Sequence, residues 1–238
     1  GLASAVDSML AIKYAVYDKK IVSFDELTRI LKDNWKGNER LRLILNQLCE
    51  KYGNNTAEAN ALAKWMSEYA ASLINGKKNG RGGIYRCGMF SIDWYADFGG
   101  RTGASADGRF AKNPLSKNIC AVIGKDKKGV TELINTVTGI DYTKFPNGAV
   151  FDALLHPSAI SGDDGLDAAI GLFETFIKKG GMSFQLNVLN PETLKKAQKN
   201  PEMFETLQVR LCGWNVYFVN LSMREQNEFI KMAENTLE

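Results

Sequence analysis

Gly213 stands between two apolar, β-prone runs, Leu207-Gln208-Val209-Arg210-Leu211-Cys212 and Trp214-Asn215-Val216-Tyr217-Phe218-Val219. A glycine there weakens both strands, so it marks a bulge, a tight turn or a place where another group comes close to the backbone. Other reactive groups are sparser. In Phe90-Ser91-Ile92-Asp93-Trp94, strand alternation puts Ser91 and Asp93 on one face. A buried carboxylate is costly unless paired or used, so Asp93 is a candidate for holding a hydroxyl or ammonium group. The plain alternative is a strand-end surface aspartate. Four cysteines, Cys49, Cys87, Cys120 and Cys212, form no CxxC pair, and His156 is the only histidine. A zinc site, a disulfide framework and a Ser-His-Asp triad therefore lack their parts. His156, just before Pro157, reads as a turn residue.

These groups need a scaffold, and the chain supplies two kinds of segment. Residues 1–75 read as helices: Val6, Met9, Leu10, Val16 and Tyr17 share a face, and Ser23-Phe24-Asp25-Glu26 is a capping box before Leu27, Ile30 and Leu31. Residues 40–51 carry Leu41, Ile44, Leu45 and Leu48 at helical spacing, and a capping signal at 55–58 precedes Ala59, Leu62, Trp65, Met66, Tyr69 and Leu73. A glycine and lysine cluster at 75–83 ends this part. Beyond it, runs at 84–94, 149–155 and 183–189 predict strands, with a crossover helix at 166–178 and a further helix opened by Asn190 and Pro191.

Composition narrows the functional classes. The 238 residues are 45% hydrophobic and 24% charged, as in ordinary globular domains. No apolar run approaches the roughly 20 residues of a membrane helix, so no membrane span is expected. The net charge of +3 comes from interspersed lysines and carboxylates, which gives nucleic-acid binding little support. Cysteine usage points to a reducing cytoplasm. The start, Gly1-Leu2-Ala3, shows no signal peptide and reads as a tag remnant, a processed chain or a piece of something longer.

Five ordered segments resemble the glycyl radical enzymes, the pyruvate formate-lyase family. Arg210-Leu211-Cys212-Gly213-Trp214, followed by an apolar strand and a Glu/Gln-rich helix, is similar to the radical loop, Arg-Val-Ser/Ala/Cys-Gly-Tyr/Trp. Gly99-Gly100-Arg101-Thr102-Gly103-Ala104-Ser105-Ala106-Asp107-Gly108-Arg109 resembles the TG-x-TPDGR loop, with Ser105-Ala106 replacing Thr-Pro. Gly124-Lys125-Asp126-Lys127-Lys128-Gly129 resembles GRD-x-x-G. Asn147-Gly148-Ala149 precedes a strand, and Gly180-Gly181-Met182-Ser183-Phe184-Gln185-Leu186-Asn187-Val188 resembles GGQHLNVNV. The helices of 1–75 are similar to those that precede these loops, so the likeness covers essentially the whole chain.

The resemblance implies an α/β fold, the C-terminal half of a ten-stranded α/β barrel ending in the glycine radical domain. Its parts would be a helical part at 1–75, barrel strands and glycine-rich loops at 84–180, and the radical domain at 181–238. It also implies a radical on Gly213. An unpaired electron on a glycine α-carbon is delocalised by the neighbouring nitrogen and carbonyl, and glycine planarises without a Cβ clash. Apolar walls should shield it, with Trp214, Tyr217 and Phe218 as candidates; Cys212, Trp214 and Arg210 are its loop neighbours.

The family's thiyl cysteine sits in Gly-Cys-Val-Glu or Cys-Cys, and no cysteine here matches. A cysteine-bearing N-terminal part or subunit is therefore an expected partner, and the chain should not turn over substrate by itself. The resemblance further implies a radical S-adenosylmethionine activase, no bound cofactor, and a small polar substrate undergoing radical lyase or dehydratase chemistry. Asp93 and Ser91 are then the candidate substrate contacts, since dehydratase members lead this segment towards their pocket. Asp107 and Arg109 are expected to hold their loop by charge-assisted hydrogen bonds. A homodimer is compatible. The alternatives are a spare part that repairs an oxygen-damaged enzyme, a formate acetyltransferase fragment, and a homologue without a radical.

Overall fold

A computed structural model describes residues 1–48, 50–92, 94–211 and 213–235. Helix α1 (Leu2–Ile12) runs into a π-helical turn at Lys13–Asp18. Its small and apolar residues Ala3, Val6 and Leu10 are buried in the main core with Ala59, Ala63 and Ala71 of α4 (Ala57–Ile74). Helix α2 (Phe24–Lys32) opens on Ser23, whose Oγ accepts the Glu26 amide at 3.1 Å, as the capping pattern predicts. Helix α3 (Glu39–Asn46) is shorter than the spacing over 40–51 predicts. Tertiary bonds claim the chain first: the Tyr52 amide donates to Asp7 Oδ1 at 2.8 Å and its hydroxyl to the Ile119 carbonyl at 2.9 Å.

The strand expected over 84–94 does not form. One isolated parallel bridge joins Met89 to Ala149, and the Ser91 amide then donates to Asn118 Oδ1 at 2.7 Å. Ile92 takes a φ of +49°, and α5 (Trp94–Gly100) follows. A side chain thus intercepts the ladder, and the left-handed residue ends the alternation on which the shared face of Ser91 and Asp93 rested. Asp93 itself lies outside the described residues, as do Cys49 and Cys212.

Helix α6 (Gly129–Val137) lies before the sheet. The sheet pairs β1 (Val150–Leu155) with β2 (Ser183–Val188) in parallel, joined by the crossover helix α7 (Gly162–Lys178). Phe151 is paired with Phe184, and both pack on α7: ring centroids lie 5.7 Å apart for Phe151–Phe176 and 4.4 Å for Phe173–Phe184. Burying each such ring contributes about 2–3 kcal/mol. The opposite face of the same two strands carries Asp152, Gln185 and Asn187, all buried.

After β2 comes α8 (Pro191–Lys199), capped by Asn190 through the Glu192 amide at 2.8 Å. Strands β3 (Gln208–Leu211) and β4 (Trp214–Tyr217) then form an antiparallel hairpin, and α9 (Met223–Asn235) closes the described chain. This last part has its own apolar core, built from Leu189, Leu194, Val209, Phe218, Phe229 and Ile230. The main core instead unites α1 and α4 with β1, α6 and α7, while α2 and α3 pack in a separate cluster around Trp35.

The junction of α1 with the Tyr52 turn holds an unusual carboxyl. Asp7 is 1% exposed, and its Oδ2 has no hydrogen-bond partner among the described residues. Burial pushes its pKa from 3.8 up to about 7, with the nearby Lys51 opposing. The folded state therefore holds this proton more tightly than the unfolded chain does, so Asp7's contribution to stability is full below about pH 4 and is lost as pH rises to about 7. Asp7→Asn keeps the acceptor for Tyr52 and removes the titration. In urea unfolding, the stability of wild type relative to Asp7→Asn should fall by roughly 2–4 kcal/mol between pH 4 and pH 8. A difference independent of pH would show that Asp7 does not titrate as described.

Candidate functional site

Gly213 occupies the loop between β3 and β4. Leu211 pairs with Trp214, so Gly213 lies in a short hairpin connection. Such loops need positive φ, and Gly213 has a φ of +95°. Of the three readings open to a strand glycine, the tight turn is the one observed. Crowding is not the reason: a Cβ added at Gly213 meets, among the described residues, only Gln185 Nε2 at 3.7 Å. The expected apolar walls are also only partly there. Phe218 is fully buried in the C-terminal core, but Trp214 is 63% and Tyr217 45% exposed, and Gly213 itself is exposed. The core takes in Val209 and Phe218, while the ends of the hairpin project past it.

What holds this exposed turn is a pair of buried amides on β2. The Gly213 N–H donates to Gln185 Oε1 at 3.0 Å. Two residues along, Asn187 donates from Nδ2 to the Arg210 carbonyl at 3.0 Å and accepts the Arg210 amide on Oδ1 at 2.8 Å. One side chain thereby reproduces both bonds of a β-ladder. The Arg210 guanidinium turns outward, to Asn215 Oδ1 at 3.0 Å.

Gln185 is in register with Asp152 of β1, so both side chains leave the sheet on the same side. Asp152 is the hub of a second network. Its Oδ2 accepts Asn118 Nδ2 at 2.5 Å and lies 3.3 Å from Lys117 Nζ, with the two ion-pair side chains 2% and 10% exposed. Asn118 in turn binds Ser91, taking its amide at 2.7 Å and its hydroxyl at 3.1 Å on Oδ1. Ser91 is thus engaged within the protein, and a chain of hydrogen bonds runs from it through Asn118 to Asp152, beside the residue that holds Gly213.

A cavity of about 460 Å³ borders this network, lined in part by Tyr95, Lys117, Cys120, Asp126, Asp152 and Met232. The Asp152 amide donates to Cys120 Sγ at 3.3 Å, and burial pushes the Cys120 thiol far above its ordinary pKa. Burial also raises the Cys87 thiol, so both described cysteines stay protonated. The Tyr95 hydroxyl donates to Glu228, tying α5 to α9 beside the cavity. The Asp107 loop closes on itself: Arg109 donates to Ser105 Oγ at 3.0 Å and to the Asn113 carbonyl at 2.7 Å, and Asp107 Oδ1 accepts the Arg109 amide at 3.3 Å. His156 caps the short turn at Pro157–Ile160, with Nδ1 accepting the Ser158 amide at 3.3 Å.

Sequence reading placed Gly213 but passed over Gln185, Asn187, Asn118 and Asp152. A signal existed for the first two: two amides at positions i and i+2 of a strand share a face, an unusual choice for a buried strand. Asn118 and Asp152 are brought together only by the tertiary fold.

Two family models match the chain, one described as Pyruvate formate lyase-like over residues 1–99 and one described as Glycine radical over residues 115–219. The (2S)-3-sulfopropanediol dehydratase of Klebsiella oxytoca is 34% identical over 239 residues, covering 98% of this chain and 29% of that enzyme. The trans-4-hydroxy-L-proline dehydratase of Clostridioides difficile is 32% identical, covering 99% of this chain and 30% of its own length. The glycerol-bound structure of the B12-independent glycerol dehydratase from Clostridium butyricum matches with a TM-score of 0.93 at 32% identity, over 97% of this chain and 29% of that one. The chain therefore spans about 30% of the length of these relatives.

Asn187→Ala removes both bonds to Arg210. It should lower stability by about 2 kcal/mol and deprotect the Arg210 amide in hydrogen exchange. Retained protection at Arg210 would show that Asn187 does not hold β3.

Proposed function

The chain belongs to the glycyl radical enzyme family, spanning its C-terminal part through the glycine radical domain, and from that premise we propose that it stores an organic radical on Gly213 and passes it to a cysteine outside these residues. In this reading a radical S-adenosylmethionine enzyme, supplied with one electron, cleaves S-adenosylmethionine. The resulting 5′-deoxyadenosyl radical takes a hydrogen atom from the Gly213 α-carbon and becomes 5′-deoxyadenosine. The glycyl radical then takes the hydrogen of the catalytic S–H, and the thiyl radical so formed takes one from the substrate. When the product radical recovers its hydrogen from the thiol, the thiyl regains one from Gly213.

The observation that carries this reading is the setting of Gly213. It sits in the connection between β3 and β4, its amide held by a buried side chain, and among the described residues beyond its chain neighbours a Cβ built there would meet only Gln185. None of Cys49, Cys87, Cys120 and Cys212 lies in Gly-Cys-Val-Glu or Cys-Cys in the sequence, so the catalytic thiol is assigned to a partner or to a further part of the same enzyme. Helices α1 and α4 share one core with β1 and α7, and α2 and α3 build a further cluster on α1, which is more structure than a spare part needs and favours a portion of a full enzyme. That portion would be inactive alone.

The relatives are named as dehydratases of a diol sulfonate and of a hydroxylated amino acid, which supports elimination from a small hydroxylated substrate. We read 181–238 as the radical-bearing unit, 84–180 as barrel strands and loops, and 1–75 as their helical support. An oxygen-sensitive radical suits anaerobic metabolism in the cytoplasm.

Anaerobic treatment with the activase should give a glycyl doublet in electron paramagnetic resonance, and Gly213→Ala, strained at this positive φ by about 1 kcal/mol or more, should give none. A silent wild-type sample would leave only a homologue without a radical. Because the loop must reach the activase, amides from about Gln208 onward should exchange faster when the activase is present. Unchanged protection there would count against the radical being installed on this loop.

A further inference from the structure

The hairpin that carries Gly213 is not part of the β1–β2 sheet: the two strand pairs form separate sheets. Side-chain amides make the connection instead, and they divide the work. Asn187 reads the backbone of Arg210 from both sides and so fixes the register of β3. Gln185 makes one bond, to the amide of the glycine itself. The orientation of its amide group follows from chemistry, since Gly213 offers a donor that only Oε1 can accept. Gln185 is 7% exposed and sits in register beside Asp152, so its side chain is confined on the buried side.

We propose that Gln185 is a positioning residue for the radical, a role that rests on Gly213 being the radical site. A glycine α-carbon radical is stabilised by its amide nitrogen as donor and its carbonyl as acceptor, and both effects need the peptide planes aligned with the singly occupied orbital. An N–H bonded to a carbonyl oxygen is held in one plane, and its nitrogen becomes the richer donor. Gln185 Oε1 supplies that bond from a buried, pre-set position on a β-strand, so the exposed loop gains a fixed geometry that its own packing does not provide. Side-chain bonds also release without tearing a ladder. Parting Gln185 and Asn187 from residues 210–213 frees the turn from β2 and leaves the β1–β2 pairing intact.

The test uses the full chain labelled with 15N-glycine and three versions of position 185. Gln185→Met keeps length and removes the acceptor, while Gln185→Glu keeps an acceptor. In the unaltered chain the Gly213 amide should be protected about tenfold over a free peptide, and absence of protection overturns the proposal without any variant. In Gln185→Met the protection should disappear while β1–β2 amides stay protected. After activation, its radical should show a changed 15N coupling and decay about tenfold faster. Gln185→Glu should restore both towards wild type. A Gln185→Met radical with wild-type coupling and lifetime overturns the positioning role alone, whereas a wild-type chain with no radical overturns the radical site beneath it.

Discussion

A β-strand sends alternate side chains to opposite sides, and in β2 that rule separates two jobs. Phe184 goes to the α7 side, where it joins Phe151, Phe173 and Phe176, and these rings fix the strand in place. Gln185 and Asn187 go to the other side, where they hold the glycine hairpin. A one-residue slip would exchange the two sets, placing amides among rings and rings against the turn. The aromatic stack is therefore what makes the amide contacts dependable. The crossover helix, the parallel register and the hairpin's position all follow from it.

The stability of the molecule is not evenly spread. Helices α1 and α4 share one core with β1, α6 and α7, helices α2 and α3 have a second with the end of α1, and the hairpin with α8 and α9 has its own. Local opening takes place along such divisions, since few apolar contacts have to be given up there. Polar bonds that join the units, including those from Gln185 and Asn187 and the Tyr95–Glu228 contact, cost less to exchange for water than buried rings do. A turn that must be both well placed and releasable is suited by this arrangement.

Much of this was legible in the sequence because it is local. Ser23 and Asn190 cap helices as their spacing announces, the crossover at α7 separates two apolar runs, and Gly213 lies in the turn that two β-prone flanks require. What failed depended on distant partners. The run at 84–94 has strand composition, but Asn118 takes the Ser91 amide and Ile92 turns left-handed. Of the three aromatics expected to shield the turn, Phe218 enters the core of this part of the enzyme, while Trp214 and Tyr217 stay exposed in it. Asn118 and Asp152 lie far apart in sequence, and no spacing rule could have joined them. The order of five motifs carried the family assignment, which local pattern alone would not have reached.

Met232 gives the cavity beside Asp152 an unexpected dependence. It is the part of the cavity lining contributed by α9, whose neighbours Phe229, Ile230 and Ala233 belong to the hairpin's own core. The cavity that borders the Lys117–Asp152 ion pair therefore has one wall belonging to the same unit as the glycine turn. Lifting that wall would let water reach two charges that are now almost fully enclosed, and the dielectric around them would rise. The position of the turn is in this way written into the hydration of a charge pair on the neighbouring strand.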